Sequence, residues 1–170
     1  MRRLILSLFF VTSITLLIAC GGGGASGGAG QFAGTYTGTE TLTLSGGGVS
    51  APVGTFPLLI VIASVTITDV DGIEYAGELA GNTFSASGVV PISPGGGITC
   101  QPATVTYAGS IAGVQITGNI GSNFSCNAPA GALAFTLSGS FSVTRDAAAS
   151  ASIDTDAKQA AIGEAIGSML

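Results

Sequence analysis

The 170-residue chain contains no histidine and no tryptophan. Without histidine it lacks the commonest general base and metal-ligating side chain, and every Ser-His or Cys-His catalytic arrangement is excluded. Charge is scarce as well: Asp, Glu, Lys and Arg make up 8% of the residues, four of them basic and nine acidic. Two of the basic residues, Arg2 and Arg3, open the chain, so only Arg145 and Lys158 stand beyond them. Two cations against nine carboxylates give the remainder a formal charge of −7. That balance argues against nucleic acid as a partner, because phosphate binding needs a basic patch. A chain this poor in charge and rich in Gly, Ser, Thr and Ala favours neutral polar strands over salt-bridged helices. Nothing in its residue types marks a resident cofactor or metal, and the expectation is a protein that is not an enzyme.

One long apolar run is present, and it lies at the amino terminus. Met1-Arg2-Arg3 supplies a short positive region, and Leu4 to Ala19 follows with mostly apolar residues, the pattern of a secretory signal. A membrane-spanning helix fits less well, since about twenty apolar residues are needed to cross the hydrocarbon. This run is interrupted by Ser7, Thr12, Ser13 and Thr15 and stops at four glycines. Leu17-Ile18-Ala19-Cys20 resembles the lipobox of bacterial lipoproteins. The resemblance implies that the Cys20 thiol is diacylglycerylated, that a peptidase cuts just before it, and that the new terminus receives a further acyl chain such as palmitate. Several chains serve retention, because one acyl chain alone gives only marginal, reversible membrane binding. By the same resemblance, Gly21 in place of an aspartate implies the outer membrane, or the outer face of the cytoplasmic membrane in a bacterium with a single membrane.

The chain therefore divides into a signal peptide (1–19), a lipidated Cys20 with a flexible glycine-rich linker (20–31), a β domain (32–145) and an Ala-rich segment with a carboxy-terminal helix (146–170). The linker's Gly22-Gly23-Gly24-Ala25-Ser26-Gly27 formally matches a dinucleotide-binding pattern. That motif works only between a strand and a helix amino terminus, and here it follows a signal. Gly46 to Gly48 and Gly95 to Gly97 read as loops.

From Phe32 to Thr144 the dominant signal is alternation with period two, the spacing that sends successive side chains to opposite faces of a sheet. Leu133, Phe135, Leu137, Gly139, Phe141 and Val143 share one face, and Ala134, Thr136, Ser138, Ser140, Ser142 and Thr144 the other. Val105, Tyr107 and Ile111 divide from Thr104, Thr106 and Ser110 in the same way. Leu58 to Thr68 reads as one strand, apolar on both faces at its start. Asp71-Gly72 and Gly81-Asn82 suit tight hairpin turns, and Pro91 to Gly97 a longer loop. The expected fold is all-β: an antiparallel up-and-down meander of seven or eight strands forming a small barrel, with a β-sandwich as the alternative. Gly77, Gly81, Gly109, Gly113 and Gly139, placed on the inner face, favour the barrel by permitting strong coiling. Tyr75-Ala76-Gly77-Glu78-Leu79-Ala80-Gly81 returns as Tyr107-Ala108-Gly109-Ser110-Ile111-Ala112-Gly113, one strand-and-turn unit used twice. A transmembrane barrel is excluded by the Thr and Ser on the outward face, which would have to be apolar. At the end of the chain, Ile162, Ile166 and Met169 fall at helical spacing, with Asp154 or Asp156 as the amino-terminal cap. Gly163 and Gly167 are read as packing on the domain.

Phe32-Ala33-Gly34-Thr35-Tyr36 resembles the opening Gly-x-Trp strand of lipocalins, with Tyr36 in the aromatic position. The resemblance implies a calycin-like barrel closed by a terminal helix and able to carry a small apolar ligand. Tyr75 and Tyr107, each beside glycine-rich strand sequence, are the candidates for lining such a cavity; the alternative places them in the core. Cys100 and Cys126 are the cysteines left after lipidation, and an exported chain meets an oxidising compartment, so a disulfide between them is expected. Asp69, Asp71, Glu74 and Glu78 form the one acidic cluster of the β domain. Oxygen-rich spacing of this kind suits Ca²⁺, but the twelve-residue calcium-loop pattern is absent, which favours a hairpin with solvated carboxylates. Three functions follow in order: a non-enzymatic structural or binding domain, a carrier of a small apolar ligand, and an inhibitor of a periplasmic enzyme with a protein partner.

Overall fold

The computed structural model describes residues 29–62, 66–68, 72–94, 97–129, 131–146 and 157–170. A helical turn, α1 (Ala29–Phe32), leads into β1 (Gly34–Gly46) and β2 (Val49–Ile62). Then come β3 (Thr66–Thr68), β4 (Glu74–Ala80), β5 (Thr83–Val90), the two-residue β6 (Thr99–Cys100), β7 (Ala103–Ala112), β8 (Gln115–Ala128) and β9 (Gly131–Arg145). Helix α2 (Ala157–Ser168) ends the chain.

Every strand pairs antiparallel with its sequence neighbour around the sheet, except that β5 skips β6 to reach β7. Pairing of β9 with both β1 and β8 closes the ring, giving an eight-stranded up-and-down barrel. The ninth strand, β6, stands outside it. β7 leaves the edge of β8 at Gly121, and β6 takes that edge further along at Cys126 and Asn127. Closure removes most of the free edge of an open sheet, although the short β3 pairs only Leu59–Val61 of β2 and Glu74–Ala76 of β4.

The alternation in sequence becomes the barrel's inside and outside. In β9, Phe135, Leu137, Phe141 and Val143 are buried while Thr136, Ser138, Ser140 and Ser142 are exposed. The same division runs through β1, where Tyr36, Glu40, Leu42 and Leu44 are buried. It holds for β2, where Phe56, Leu58, Ile60 and Ile62 face the interior. Strand β2 carries a bulge at Val53, since Leu42 faces Gly54 while Thr43 already faces Pro52. A bulge is one of the few places in a sheet that accepts proline. The two rims differ. One is formed by Gly34, Ile62, Arg145 and the two-residue turns Gly81-Asn82 and Gly113-Val114. The opposite one carries the Gly47-Gly48 turn and the 91–98 connection.

Several details depart from the sequence reading. Leu58 to Thr68 is two strands, with β3 antiparallel to β2 so that Thr68 lies opposite Leu59 and Thr66 opposite Val61. The Asp71-Gly72 hairpin is wider than a two-residue turn: Thr68 pairs with Glu74, leaving five residues between them. Gly81 and Gly113 are in hairpin turns, with φ of 64° and 62°, instead of on the inner face. Each is the residue that permits the left-handed backbone of its turn. The linker ends in helix before residue 31, because Gln31 O and Phe32 O accept hydrogen bonds from Arg145 and Tyr36. The expected signal, Cys20, the caps Asp154 and Asp156, and Asp69 to Asp71 lie outside the described residues.

Candidate functional site

Inward-facing positions on β1 run Tyr36, Gly38, Glu40, Leu42, Leu44, so the period of two that builds the barrel wall also sends a carboxylate into it. Glu40 faces Phe56 on β2 and Phe141 on β9 across the strands, and is 0% exposed. A carboxylate so far from water is tolerated only when paired and hydrogen-bonded. The partners come from elsewhere in the chain. Lys158, on the first turn of α2, brings Nζ to 2.6 Å from Glu40 Oε1. Tyr107, from the middle of β7, donates its hydroxyl hydrogen to Glu40 Oε2 at 2.6 Å and accepts from Lys158 Nζ at 3.3 Å. The three groups form a closed triangle inside an apolar wall.

Helix α2 is held to reach this point. Lys158, Ile162, Ala165 and Ile166 fall on one face at helical spacing, and all are buried. The helix packs on β2 and β1, and the Cα of Pro94 lies so close to Gly163 that a Cβ there would sit 3.1 Å from it. The expected terminal helix is present with Ile162 and Ile166 on its packing face and Met169 partly buried just past its end; Gly163 packs on the domain as read, whereas Gly167 is exposed and has nothing within 4 Å of where its Cβ would be. What the sequence reading missed is that the face begins with a lysine.

Tyr75 and Tyr107, the candidate cavity residues, do meet inside the barrel. Their rings are 4.8 Å apart, edge to face, both fully buried, and Phe141 lies 5.8 Å from Tyr107. Each ring fills space against the other. The inner-face glycines make room for neighbouring inward side chains. A Cβ on Gly118 would lie 2.5 Å from Phe141 Cζ, one on Gly109 2.9 Å from Phe84 Cε1, and one on Gly139 2.7 Å from Leu42 Cδ2. Glycine here admits the side chain that covers it.

A second tyrosine–cation contact lies at the rim where β1 begins. The Arg145 guanidinium stands 5.2 Å from the centre of the Tyr36 ring and donates from Nε and an Nη to the Tyr36 hydroxyl at 3.2 and 2.8 Å. That hydroxyl in turn donates to Phe32 O at 2.8 Å. The sequence reading gave Tyr36 no basic partner; β9 supplies one, since Tyr36 and Arg145 are paired across the sheet.

Cys100 and Cys126 form the expected disulfide, joining β6 to β8. Glu74 and Glu78 point outward from β4 and are exposed. Among the described residues, no group of three or more His, Cys, Asp or Glu is arranged to hold a metal ion, and no helix is long and apolar enough to cross a membrane. On the outer wall, Thr83, Ala108, Ser110, Thr117 and Asn119 line an open groove of about 610 Å³ behind the paired Gly109 and Gly118. Compared with known proteins, the chain matches no family model, no curated protein sequence and no solved structure.

Proposed function

We propose that this chain is a lipid-anchored protein of the bacterial cell envelope, and that its barrel is a non-enzymatic binding or structural domain acting through its outer surface. Support for the anchor comes from Leu17-Ile18-Ala19-Cys20 after a charged and apolar leader. The barrel's first strand begins at the rim opposite the 91–98 connection against which α2 packs. Support for action from outside comes from the interior, where Tyr75, Phe84 and Phe141 occupy the room left by glycines and Tyr107 packs against Tyr75 and Phe141. The outer wall offers hydroxyls and amides with few charges. The contact of Glu40 with Lys158 is the observation that carries this reading, because it commits α2 to the interior.

A carrier of a small apolar ligand is the second reading. The eight-stranded up-and-down closure favours it. Native mass spectrometry of the mature protein from its own host separates the readings. Ligand-free protein bearing lipid on Cys20 is expected. A co-purifying small apolar molecule supports the carrier instead, and a stoichiometric protein partner supports an inhibitor. Failure of labelled fatty acid to appear on the wild type, or unchanged processing of Cys20→Ser, overturns the anchor.

A further inference from the structure

We propose that Lys158 and Glu40 are a covalent cross-linking site: their side chains condense, with loss of one water, into an intramolecular amide that ties α2 to β1. The proposal concerns the interior alone and does not depend on the lipid anchor. Three observations meet at this point. First, Lys158 Nζ lies 2.6 Å from Glu40 Oε1, at contact distance. Second, the pair is shut away from solvent, with side-chain exposures of 4% and 0%. Water is the product of condensation, and its exclusion favours the amide over hydrolysis. Third, the Tyr107 hydroxyl touches both reactants, donating to Glu40 Oε2 at 2.6 Å and accepting from Lys158 Nζ at 3.3 Å. It is placed to polarise the carboxyl group and to relay a proton.

The balance of the reaction is simple. The ammonium gives one proton to Oε1, leaving an amine beside a carboxylic acid. The Nζ lone pair then adds to Cδ, forming the C–N bond, while an electron pair moves to Oε2, where the Tyr107 hydrogen bond holds the developing charge. Collapse of that adduct re-forms the carbonyl and breaks the Cδ–Oε1 bond. Oε1 leaves as water with a second proton from nitrogen, relayed by Tyr107. Carbon and nitrogen keep their oxidation states, so no oxidant, reductant or activating group is needed. Two reactants fixed at contact distance by a barrel wall and a helix have the effective concentration that makes such a step accessible to groups that are inert when free in water.

The test is peptide mapping by tandem mass spectrometry of the full-length wild-type chain after folding. The expected result is a peptide containing Glu40 joined to one containing Lys158, lighter than their sum by one water. Recovery of both peptides unlinked, or a water loss mapped to another position, overturns the proposal. Because the wild type alone decides, the result does not depend on whether a variant folds. Tyr107→Phe keeps both reactants and is expected to slow conversion by about 100-fold or more; linkage at the wild-type rate overturns the assigned mechanism. Lys158→Arg keeps the positive charge and is expected to give no link.

Discussion

Two cations lie within the described residues, Arg145 and Lys158, and each meets a tyrosine, under very different conditions. At the rim, the Arg145 guanidinium covers Tyr36 and is half-exposed. In the interior, Lys158 meets Tyr107 and Glu40 with almost no exposure. Contacts of the first kind are screened by solvent and contribute little, because either group remains hydrated when the other is removed. Contacts of the second kind are costly to break, because the surviving charge is left buried without a counter-charge. The rim contact closes the seam between the barrel's first and last strands; the interior contact decides where the terminal helix goes.

Substitutions that separate the two contacts should show this asymmetry. The largest effect is expected from Glu40→Ala or Lys158→Ala, each costing about 3–5 kcal/mol in denaturant unfolding. Replacing both, as Glu40→Leu with Lys158→Met, should recover much of that loss when measured against unlinked wild-type chain, since no lone charge remains; a double variant as unstable as either single would break the comparison. Next is the disulfide. Cys100→Ser with Cys126→Ser is expected to cost about 3.5 kcal/mol by the chain-entropy model, read as a lower unfolding midpoint. Gly118→Ala, on the interior wall, should cost about 1–3 kcal/mol, because its Cβ would fall on the Ala108 carbonyl and the Phe141 ring. Arg145→Ala at the rim is expected to cost at most about 1 kcal/mol; a loss as large as that at Lys158 would show the two contacts to be alike.

Much of the barrel was legible because period-two alternation is a local signal. Leu133 to Thr144 divides into inner and outer faces in the sequence as it does in the structure, and Gly81-Asn82 marks its turn by residue type. The Tyr75 and Tyr107 repeats do occupy equivalent places, each ring inside and each segment ending in a two-residue turn. The pairing of Cys100 with Cys126 followed from compartment chemistry. The break inside Leu58 to Thr68 was not legible, because a run apolar on both faces carries no phase to show where it reverses. Glu40 was half legible: its parity with Tyr36, Leu42 and Leu44 puts it inward, and an inward carboxylate demands a partner. Nothing local identifies that partner as Lys158, far along the chain on a helix, because long-range pairing leaves no periodicity to read. Arg145 escaped for the same reason, its register with Tyr36 being fixed only when β9 closes on β1.

Hydrogen exchange of the α2 amides in the intact, folded chain tests most directly the claim that Lys158 locks this helix into the barrel. Residues 160–166 should exchange as slowly as the central amides of β1 and β9, and Lys158→Ala should speed α2 well before it speeds the strands. Wild-type α2 amides exchanging as fast as those of the Gly47-Gly48 turn would contradict the account.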